Sequence, residues 1–216
     1  MSHKTSLTDT RAVIGPTEYD LASREAGWDS PSRAQKLVEK FVVKDSIVLD
    51  LGTGTGQAVA GYVKKGAHVI GLDKDPEMLQ AASHLLNGSG DFRQANINKV
   101  LPIEDLESKV DVAQAVGVLE FAEDFKSILS KVKTVLKSDG VFVFTIETTD
   151  DGDEVTSEYF EDDIMVYRRS ADYAKRLLEE SGFSLMFDEA YGGYERSDLT
   201  NHKVPYHIFL AQLHKC

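Results

Sequence analysis

The feature that most constrains the fold is a short apolar run that ends in three alternating glycines. Residues 46–57 read SIVLDLGTGTGQ, in which Gly52, Gly54 and Gly56 break a stretch long enough for one buried strand. Glycine reaches backbone angles that a Cβ forbids, and it lets a ligand approach the peptide planes closely. Residues 57–65 are typical of a helix, so the stretch predicts a strand–turn–helix unit of the kind that binds nucleotides. A glycine-rich surface turn has the same spacing and is the alternative.

Strand-like and helix-like segments alternate along the rest of the chain. Strands are predicted at 47–51, 68–73, 92–97, 110–116, 141–146, 183–187 and 206–213. A first helix is predicted with Ser30 as its cap and Pro31 at its first position. Further helices are predicted at 57–65, at 76–86 with Asp75 as the cap, at 123–136 with residues 138–140 as its end, and at 170–180, whereas residues 147–168 break the alternation. Such alternation is typical of a parallel sheet covered by helices on both faces. The last two strands have no helix between them, so one of them is expected to be antiparallel. We therefore predict an α/β fold: a Rossmann-like, seven-stranded, mostly parallel sheet with one antiparallel strand near the C-terminus.

Composition excludes several classes of protein. The 216 residues carry a formal net charge of −12, which argues against a basic track for nucleic acid. No apolar run approaches the roughly 18 residues that span a bilayer, and the polar start lacks the apolar core of a secretory signal. The single cysteine is Cys216, so no internal disulfide can form and a reducing cytoplasm is the expected location.

An acidic residue at the end of the second predicted strand suggests what the glycine turn binds. Asp73 could accept both hydroxyls of a ribose, as the corresponding carboxylate does in dinucleotide enzymes; a solvated strand-end Asp is the alternative. The spacing here is G-x-G-x-G, with Gln57 where the dinucleotide fingerprint has its last glycine. No Tyr-x-x-x-Lys pair occurs either, which removes one common arrangement for hydride transfer. A dehydrogenase therefore stays open as a minor alternative.

Four stretches resemble one family. VLDLGTGTGQ, GLDKDPEML, QAVGVLEFAED and LKSDGVFVFT resemble the class I S-adenosylmethionine-dependent methyltransferases over about residues 30–148. YD…WDSP near the N-terminus and Tyr167-Arg-Arg-Ser…Tyr173 are similar to a small type 11/12 branch, some of whose members are described as TPR-repeat-associated. Trp28 and Asp29 depart from that branch, in which Tyr-Arg is expected. The resemblance implies one domain over 1–216 with three parts.

The implied parts are an N-terminal arm or lid at 1–30, a cofactor-binding half at 31–148, and a substrate-side half at 149–216 with an acidic insertion. The implied cofactor is S-adenosyl-L-methionine. Residues implied at its methionyl end are Tyr19, Asp50, Gly52, Thr53, Gly54, Gly56, Ala115 and Val116. Asp50 would organise the ammonium group, the glycines would let the backbone close over this end, and Ala115 and Val116 would offer carbonyls beside the sulfonium. Tyr19 would close over the site.

Residues implied at the adenosyl end follow the next two strands. Asp73 would take the ribose hydroxyls, and Lys74 and Met78 would flank the adenine, with the methionine sulfur against the ring face. Asn96, beside Ile97, stands where the family often has Asp for the adenine amino group, and an amide oxygen can accept that hydrogen bond. For Met78 and Ile97, packing in the core is the alternative.

Methyl transfer from a sulfonium is an in-line displacement in which much of the catalysis comes from alignment. A general base is needed only if the acceptor keeps its proton until attack, so no catalytic residue is assigned. The scattered histidines show no metal-ligand spacing, and no metal is expected. Candidates for lining the acceptor site are Glu120, Glu147, Tyr159, Tyr167 and Tyr191.

The expected function is methyl transfer to a small-molecule acceptor by a monomer or homodimer. One alternative is a protein or tRNA methyltransferase, although the negative net charge argues against an RNA substrate. Another is a non-catalytic module that binds an adenosyl nucleotide. The acidic residues of 150–163 have three interpretations: a solvated loop, a lid that favours a cationic or amine substrate, or a calcium site, which lacks the loop glycine.

Overall fold

The computed structural model describes residues 15–149, 152–160, 164–195 and 203–214. The α-helices in this part of the chain are α1 Pro16–Glu25, α2 Ser30–Val38, α3 Ala60–Lys64, α4 Pro76–Leu85, α5 Phe125–Val135 and α6 Ala171–Glu180. The strands are β1 Ile47–Leu51, β2 His68–Asp73, β3 Asp91–Gln94, β4 Val110–Ala115, β5 Leu136–Glu147, β6 Val155–Phe160, β7 Ile164–Arg169, β8 Phe183–Glu195 and β9 Lys203–Leu213. The predicted N-terminal arm, residues 1–14, lies outside the described residues. No helix among those described is long and apolar enough to cross a membrane.

Seven strands form one sheet in the order β3-β2-β1-β4-β5-β9-β8. The pairs from β3 to β5 are parallel, whereas β9 runs antiparallel to both β5 and β8. The predicted fold class is confirmed, including the antiparallel strand near the C-terminus. Because the order reverses between β1 and β4, a crevice forms at the carboxyl ends of these two strands, where sheets of this kind bind ligands.

Strand β5 shows how the sheet is buried on both faces. Its side chains alternate between two hydrophobic clusters: Phe142 and Phe144 pack on one face, and Val141 and Val143 on the other. All four are fully buried. A nearly continuous apolar strand needs such cover from helices on both sides. The pattern is therefore typical of a buried parallel sheet rather than of a sheet with one face exposed to solvent.

Side-chain caps fix where three helices begin. Asp75 accepts a hydrogen bond from the Glu77 amide at 2.8 Å at the start of α4, as the sequence predicts, and Asp124 and Ser170 cap α5 and α6 in the same way. The predicted cap at Ser30 is wrong: α2 begins at Ser30 with Asp29 at the cap position. The Ser30 hydroxyl instead forms a 2.5 Å hydrogen bond with the Tyr191 hydroxyl.

Several predicted boundaries differ from the structure. The helix expected at 57–65 is only α3, because the turn that contains the glycines continues to Val59. The third strand ends at Gln94, so Asn96 and Ile97 lie in the loop that follows. Residues 138–140, expected to end a helix, belong to β5.

The larger omission is the hairpin of β6 and β7, which spans residues 155–169; no strand was predicted in residues 147–168. Acidic residues before β6 and between the two strands hide the strand pattern, and the pairing is supported by ion pairs. Arg168 contacts Glu147 at 2.6 Å and Glu158 at 2.5 Å, which ties the hairpin to the end of β5. Residues 150, 151 and 161–163 of the acidic run lie outside the described part of the chain.

Candidate functional site

A cavity of about 420 Å³ opens at the carboxyl ends of β1, β2 and β4. Nine residues predicted at the cofactor site line it: Tyr19, Gly52, Gly54, Asp73, Lys74, Met78, Asn96, Ile97 and Val116. Four others, Asp50, Thr53, Gly56 and Ala115, lie in the same segments without lining the cavity. The residues that the sequence placed at several strand ends therefore meet around one space. Their contacts with a ligand remain predictions.

The glycine turn and the end of β2 are joined directly. The Gly54 amide donates a hydrogen bond to Asp73 Oδ2 at 2.9 Å, and the Asp75 amide donates to Oδ1 at 3.0 Å. Burial raises the pKa of Asp73, and these two amides act against that shift. Each carboxylate oxygen keeps a further lone pair, so Asp73 can still accept hydroxyl groups from a ligand in the cavity.

Two glycines of the turn meet different requirements. Gly52 has φ of 71°, and a Cβ there would lie 2.5 Å from a methyl carbon of Val118, so both its backbone angle and its surroundings exclude a side chain. Gly54 has φ of 52°, but no atom lies within 4 Å of the position that a Cβ would take, and Gly54 lines the cavity. The missing side chain at Gly54 thus leaves open space that a ligand could use, whereas the missing side chain at Gly52 leaves space for Val118.

Asp50 lies beneath the turn in a buried polar network. The Tyr62 hydroxyl donates to Gln114 Oε1 at 2.9 Å, and Gln114 Nε2 donates to Asp50 Oδ1 at 3.0 Å. Asp50 is 1% exposed, and burial raises its pKa to about 7. Its Oδ2 makes no hydrogen bond within the described residues. The Thr53 hydroxyl lies close enough to favour the charged carboxylate without a hydrogen bond of normal geometry.

The loop after β3 shapes the part of the cavity predicted to take the adenosyl group, here called the adenosyl end. Asn96 Oδ1 accepts a hydrogen bond from the Asn98 amide at 2.9 Å, which fixes the side chain predicted to read the adenine. Asn98 in turn bridges to the segment after β4: its Nδ2 donates to the Phe121 carbonyl at 2.8 Å, and its Oδ1 accepts from the Glu123 amide at 2.9 Å. Sequence reasoning missed Asn98, which holds two walls of the cavity together.

Aromatic side chains cluster in one part of the cavity wall, here called the aromatic end. Trp28 packs edge-on against Tyr206 and Tyr194, with ring centroids 5.0 and 5.8 Å away. The Tyr206 hydroxyl donates to Glu120 Oε1 at 2.7 Å, and Glu120 is 1% exposed. All four residues line the cavity. Of these only Glu120 was predicted; Trp28 stood out in the sequence as a departure from the family pattern, and Tyr194 and Tyr206 gave no periodic signal.

Of the five residues proposed for the acceptor site, only some line the cavity. Glu120 and Tyr167 line the cavity, whereas Glu147, Tyr159 and Tyr191 do not. Glu147 is buried against Arg168, and Tyr191 bonds to Ser30. Tyr159 is 73% exposed on β6. An acceptor site built from Glu120 and Tyr167 is therefore compatible with the structure.

Two contacts that the sequence did not suggest brace the glycine turn from outside. The Thr55 hydroxyl donates to Asp20 Oδ1 at 2.7 Å, which links the turn to α1. Gln35 Nε2 on α2 lies 3.0 Å from the carbonyls of both Gln57 and Ala58. Helix α1 therefore lies over the turn, and its Tyr19 lines the cavity.

No group of three or more His, Cys, Asp or Glu residues with metal-binding geometry occurs in the described part of the chain. The donor set of the cavity is one of backbone amides, amide side chains, carboxylates and aromatic rings, which suits an organic ligand with hydroxyl, amino and ring groups.

The chain matches a known family over its central part. Residues 49–144 match the family model described as a methyltransferase domain. The chain is 35% identical over 103 residues to a ubiquinone biosynthesis O-methyltransferase of Actinobacillus pleuropneumoniae, which covers 45% of this chain and 44% of that protein. It is 33% identical over 103 residues to a malonyl-[acyl-carrier protein] O-methyltransferase of Hamiltonella defensa, with 48% and 38% covered. The chain thus spans less than half the length of these relatives.

Solved structures share the fold over more of the chain. An S-adenosylmethionine-dependent methyltransferase from Mesorhizobium loti superimposes with a TM-score of 0.64 at 19% identity, covering 83% of this chain and 97% of that one. The Burkholderia thailandensis 1,6-didemethyltoxoflavin-N1-methyltransferase, solved with 1,6-didemethyltoxoflavin and S-adenosylhomocysteine, gives 0.69 at 16% identity, covering 94% and 92%. At such identities the likeness concerns the fold.

Proposed function

We propose that this chain, which belongs to the class I S-adenosylmethionine-dependent methyltransferases, transfers a methyl group to a small-molecule acceptor held at the aromatic end of its cavity. The observation that carries the proposal is the position of Asp73. Its carboxylate lies at the cavity, bonded to the amide of Gly54, while the same cavity continues to Glu120 and Trp28. One space therefore offers a polar end for an adenosyl group and an aromatic end for an acceptor.

The residues present fit the cofactor. Asp73 would accept the ribose hydroxyls, and Asn96 and Met78 would contact the adenine. The buried Oδ2 of Asp50 makes no hydrogen bond within the described residues, which suits an ammonium group held directly or through water. Gly54 leaves the space that the methionyl chain would need. When bound, S-adenosylmethionine supplies a methyl group that is already activated as a sulfonium.

The protein's own contribution would be alignment and exclusion of water. Tyr19 lies on α1 and Trp28 lies just after this helix, and both residues line the cavity. Ile164, Met165 and Tyr167 of β7 border it from the hairpin. Such walls would hold the acceptor atom in line with the methyl group, and alignment of this kind accounts for much of the rate in methyl transfer.

The proposed acceptor class is consistent with the size and charge of the site. A cavity of about 420 Å³ must hold the cofactor and the acceptor together, which leaves room for a small acceptor group. The formal net charge of −12 opposes an extended nucleic-acid surface. A monomer or homodimer in the cytoplasm, formed as one domain, remains part of the proposal.

The test is cofactor binding followed by turnover. Isothermal titration with S-adenosylhomocysteine should give a one-to-one complex, whereas NAD should not bind. Purified protein with S-adenosylmethionine and a panel of amine, hydroxyl and thiol compounds should then release S-adenosylhomocysteine with at least one class. Binding without release across the whole panel would favour the non-catalytic binding module and contradict the proposal.

A further inference from the structure

We propose that Arg169 is a positioning residue for methyl transfer, which holds together the two segments that carry Glu120 and Tyr167. These two residues are the candidates for the acceptor site that line the cavity. Arg169 itself does not line the cavity, and only 1% of its surface is exposed. The inference rests on the proposed methyl transfer and concerns the contacts within the protein on which that reaction depends.

The two segments supply much of the cavity wall. Residues 116–123, which follow β4 and are here called the wall segment, include six lining residues: Val116, Gly117, Val118, Glu120, Phe121 and Glu123. Strand β7 contributes Ile164, Met165 and Tyr167. Because β7 pairs with β6 in a separate two-stranded sheet, the main sheet does not fix its position relative to the wall segment. That position therefore depends on contacts made by side chains.

The Arg169 guanidinium bonds to both ends of a turn in the wall segment. Leu119–Phe121 form a short 3₁₀ helix, after which the Ala122 amide donates to the Leu119 carbonyl at 3.1 Å. Arg169 Nη1 donates to the same Leu119 carbonyl at 2.9 Å, and Nη2 donates to the Ala122 carbonyl. A planar guanidinium holds two acceptors in a fixed geometry, whereas the ammonium group of a lysine does not. The turn that carries Glu120 is therefore fixed relative to β7.

The same guanidinium lies over two aromatic rings. Its central carbon lies 5.4 Å from the centroid of the Tyr167 ring on β7 and 5.6 Å from that of Phe125 at the start of α5. A cation at such a distance from a ring is attracted by the face of the ring. Arg169 thus fixes the ring of Tyr167 together with the turn that carries Glu120.

The charge of Arg169 is compensated inside the protein. Burial lowers the pKa of its guanidinium, whereas Tyr173 and the carboxylate of Glu120, among other neighbours, act against that shift. A buried charge is costly, and an apolar side chain of similar size would fill the same space at a smaller cost. Such a side chain would donate no hydrogen bond to the turn. We therefore attribute the buried guanidinium to the geometry that it imposes rather than to stability.

A different side chain holds the wall segment from the adenosyl end. Asn98, in the loop after β3, donates from Nδ2 to the Phe121 carbonyl at 2.8 Å and accepts the Glu123 amide at 2.9 Å. These bonds do not involve Arg169, so they remain when Arg169 is replaced. The adenosyl end should therefore keep its shape, and the affinity for the cofactor should not depend on Arg169.

Methyl transfer makes the position of the turn important for the rate. The acceptor atom must lie in line with the carbon–sulfur bond that breaks, and a displacement of about 1 Å in such an arrangement lowers a rate by about a hundredfold. Since Glu120 and Tyr167 are the candidate acceptor residues, a turn that moves relative to β7 should misalign the acceptor. The cofactor, held at the adenosyl end, should bind as before.

Substitution by lysine separates geometry from charge. Arg169→Lys keeps a positive charge near Glu120 but replaces the fork by a single ammonium group. With an acceptor identified by the panel of amine, hydroxyl and thiol compounds, this variant should lower kcat/KM by at least about tenfold. Its dissociation constant for S-adenosylhomocysteine, measured by calorimetry, should match that of wild type. Arg176→Lys makes the same change at an exposed position of α6 and should alter neither quantity.

Hydrogen exchange reports on the turn without turnover. The amides of Phe121 and Ala122 donate hydrogen bonds within the turn at 3.0 and 3.1 Å. In Arg169→Lys, peptides that cover residues 117–123 should exchange at least about tenfold faster, as expected when one hydrogen bond to a charged group is lost. Peptides that cover the glycine turn should exchange as in wild type.

A second variant serves if Arg169→Lys fails to fold. Phe125→Leu removes one of the two rings under the guanidinium, and Phe125 does not line the cavity. It should therefore give the same pattern with a smaller effect: faster exchange in residues 117–123, lower kcat/KM for the acceptor, and unchanged affinity for S-adenosylhomocysteine. Wild-type values for both exchange and kcat/KM in this variant would overturn the inference.

The outcomes separate this inference from the proposed function. If wild type releases no S-adenosylhomocysteine with any compound of the panel, the proposed function is overturned, and the exchange experiment still decides whether Arg169 holds the turn. Release by wild type with kcat/KM unchanged in Arg169→Lys overturns this inference alone, because charge without geometry would then suffice. Unchanged exchange in residues 117–123, or an equal loss of cofactor affinity and acceptor kinetics, also contradicts it.

Discussion

The Asp73 carboxylate accepts a hydrogen bond from the Gly54 amide at 2.9 Å, so the tips of two neighbouring strands are fastened together at the rim of the cavity. The same carboxylate also accepts the Asp75 amide at 3.0 Å, at the point where α4 begins. Asp73 thus stabilises the shape of the glycine turn in addition to any contact with a ribose. Both tasks depend on its two oxygens.

Replacing Asp73 with alanine should weaken cofactor binding. The variant loses the acceptor for the ribose hydroxyls and the brace on Gly54, and hydrogen bonds to a charged group contribute about 1.5–3 kcal/mol each. We expect the dissociation constant for S-adenosylhomocysteine, measured by calorimetry, to rise at least about tenfold. Asp139→Asn changes an exposed aspartate of β5 and serves as the control. Unchanged affinity in Asp73→Ala would remove the ribose contact from the site.

Gly52 and Gly54 should respond differently to alanine. In Gly52→Ala the new methyl group would overlap Val118 at 2.5 Å, so the variant should lose roughly 2–4 kcal/mol of unfolding free energy. In Gly54→Ala nothing stands within 4 Å of the methyl group, so only the cost of φ at 52°, about 1 kcal/mol, is expected. Its methyl group would occupy ligand space, so cofactor affinity should fall nonetheless.

Urea unfolding and calorimetry on the two variants check this contrast. A Gly54→Ala protein that binds S-adenosylhomocysteine as tightly as wild type would show that the space beyond Gly54 is not used by the ligand. Equal destabilisation in both variants would show that the turn relaxes as a whole.

The sequence predicted those residues of the candidate site whose positions are determined by a short local stretch of chain. Gly52, Gly54 and Asp73 could be assigned because a tight turn and a strand end each demand particular residues nearby in the chain. Asp75 could be assigned as a helix cap for the same reason. These residues all lie between β1 and the start of α4, where the fold and the candidate site depend on the same short stretches.

The aromatic end could not be predicted in this way, because its residues meet only after distant elements pack. Trp28 follows α1, Tyr194 and Tyr206 belong to β8 and β9, and Glu120 lies after β4. From the sequence alone, Glu147 was as good a candidate for the acceptor site as Glu120. In the structure Glu147 accepts a hydrogen bond from Arg168 of the unpredicted hairpin and does not line the cavity. Long-range packing, rather than local propensity, decides which carboxylate lines the cavity.

The contact between Thr55 and Asp20 should help retain the cofactor. It links α1 to the glycine turn at 2.7 Å and thereby holds Tyr19 beside the cavity. Thr55→Val and Asp20→Asn should each accelerate the dissociation of S-adenosylhomocysteine about threefold to tenfold, and a double-mutant cycle should give a coupling of about 1 kcal/mol. Stopped-flow displacement measures the rates. Strict additivity of the two substitutions would contradict a direct role for this hydrogen bond.

Asp50 should make the stability of the protein fall as pH rises. Burial raises the pKa of Asp50 from its ordinary value of 3.8 to about 7, with the Gln114 amide acting in the opposite direction. Between these two values the folded protein holds a proton on Asp50 that the unfolded chain has released. Folding is therefore favoured at the acid end of the window, and this contribution is lost as pH rises through about 7.

Asp50→Asn tests the sign of this effect, since the amide has no charge to bury and can still accept the hydrogen bond from Gln114. Relative to wild type, the variant should gain about 2–3 kcal/mol of unfolding free energy between pH 5 and pH 8, at 1.36 kcal/mol per pKa unit. Urea unfolding at both pH values measures it, with Asp139→Asn as the exposed control. A difference between variant and wild type that is the same at both pH values would mean that Asp50 is already ionised at pH 5, held by the Thr53 hydroxyl and Gln114.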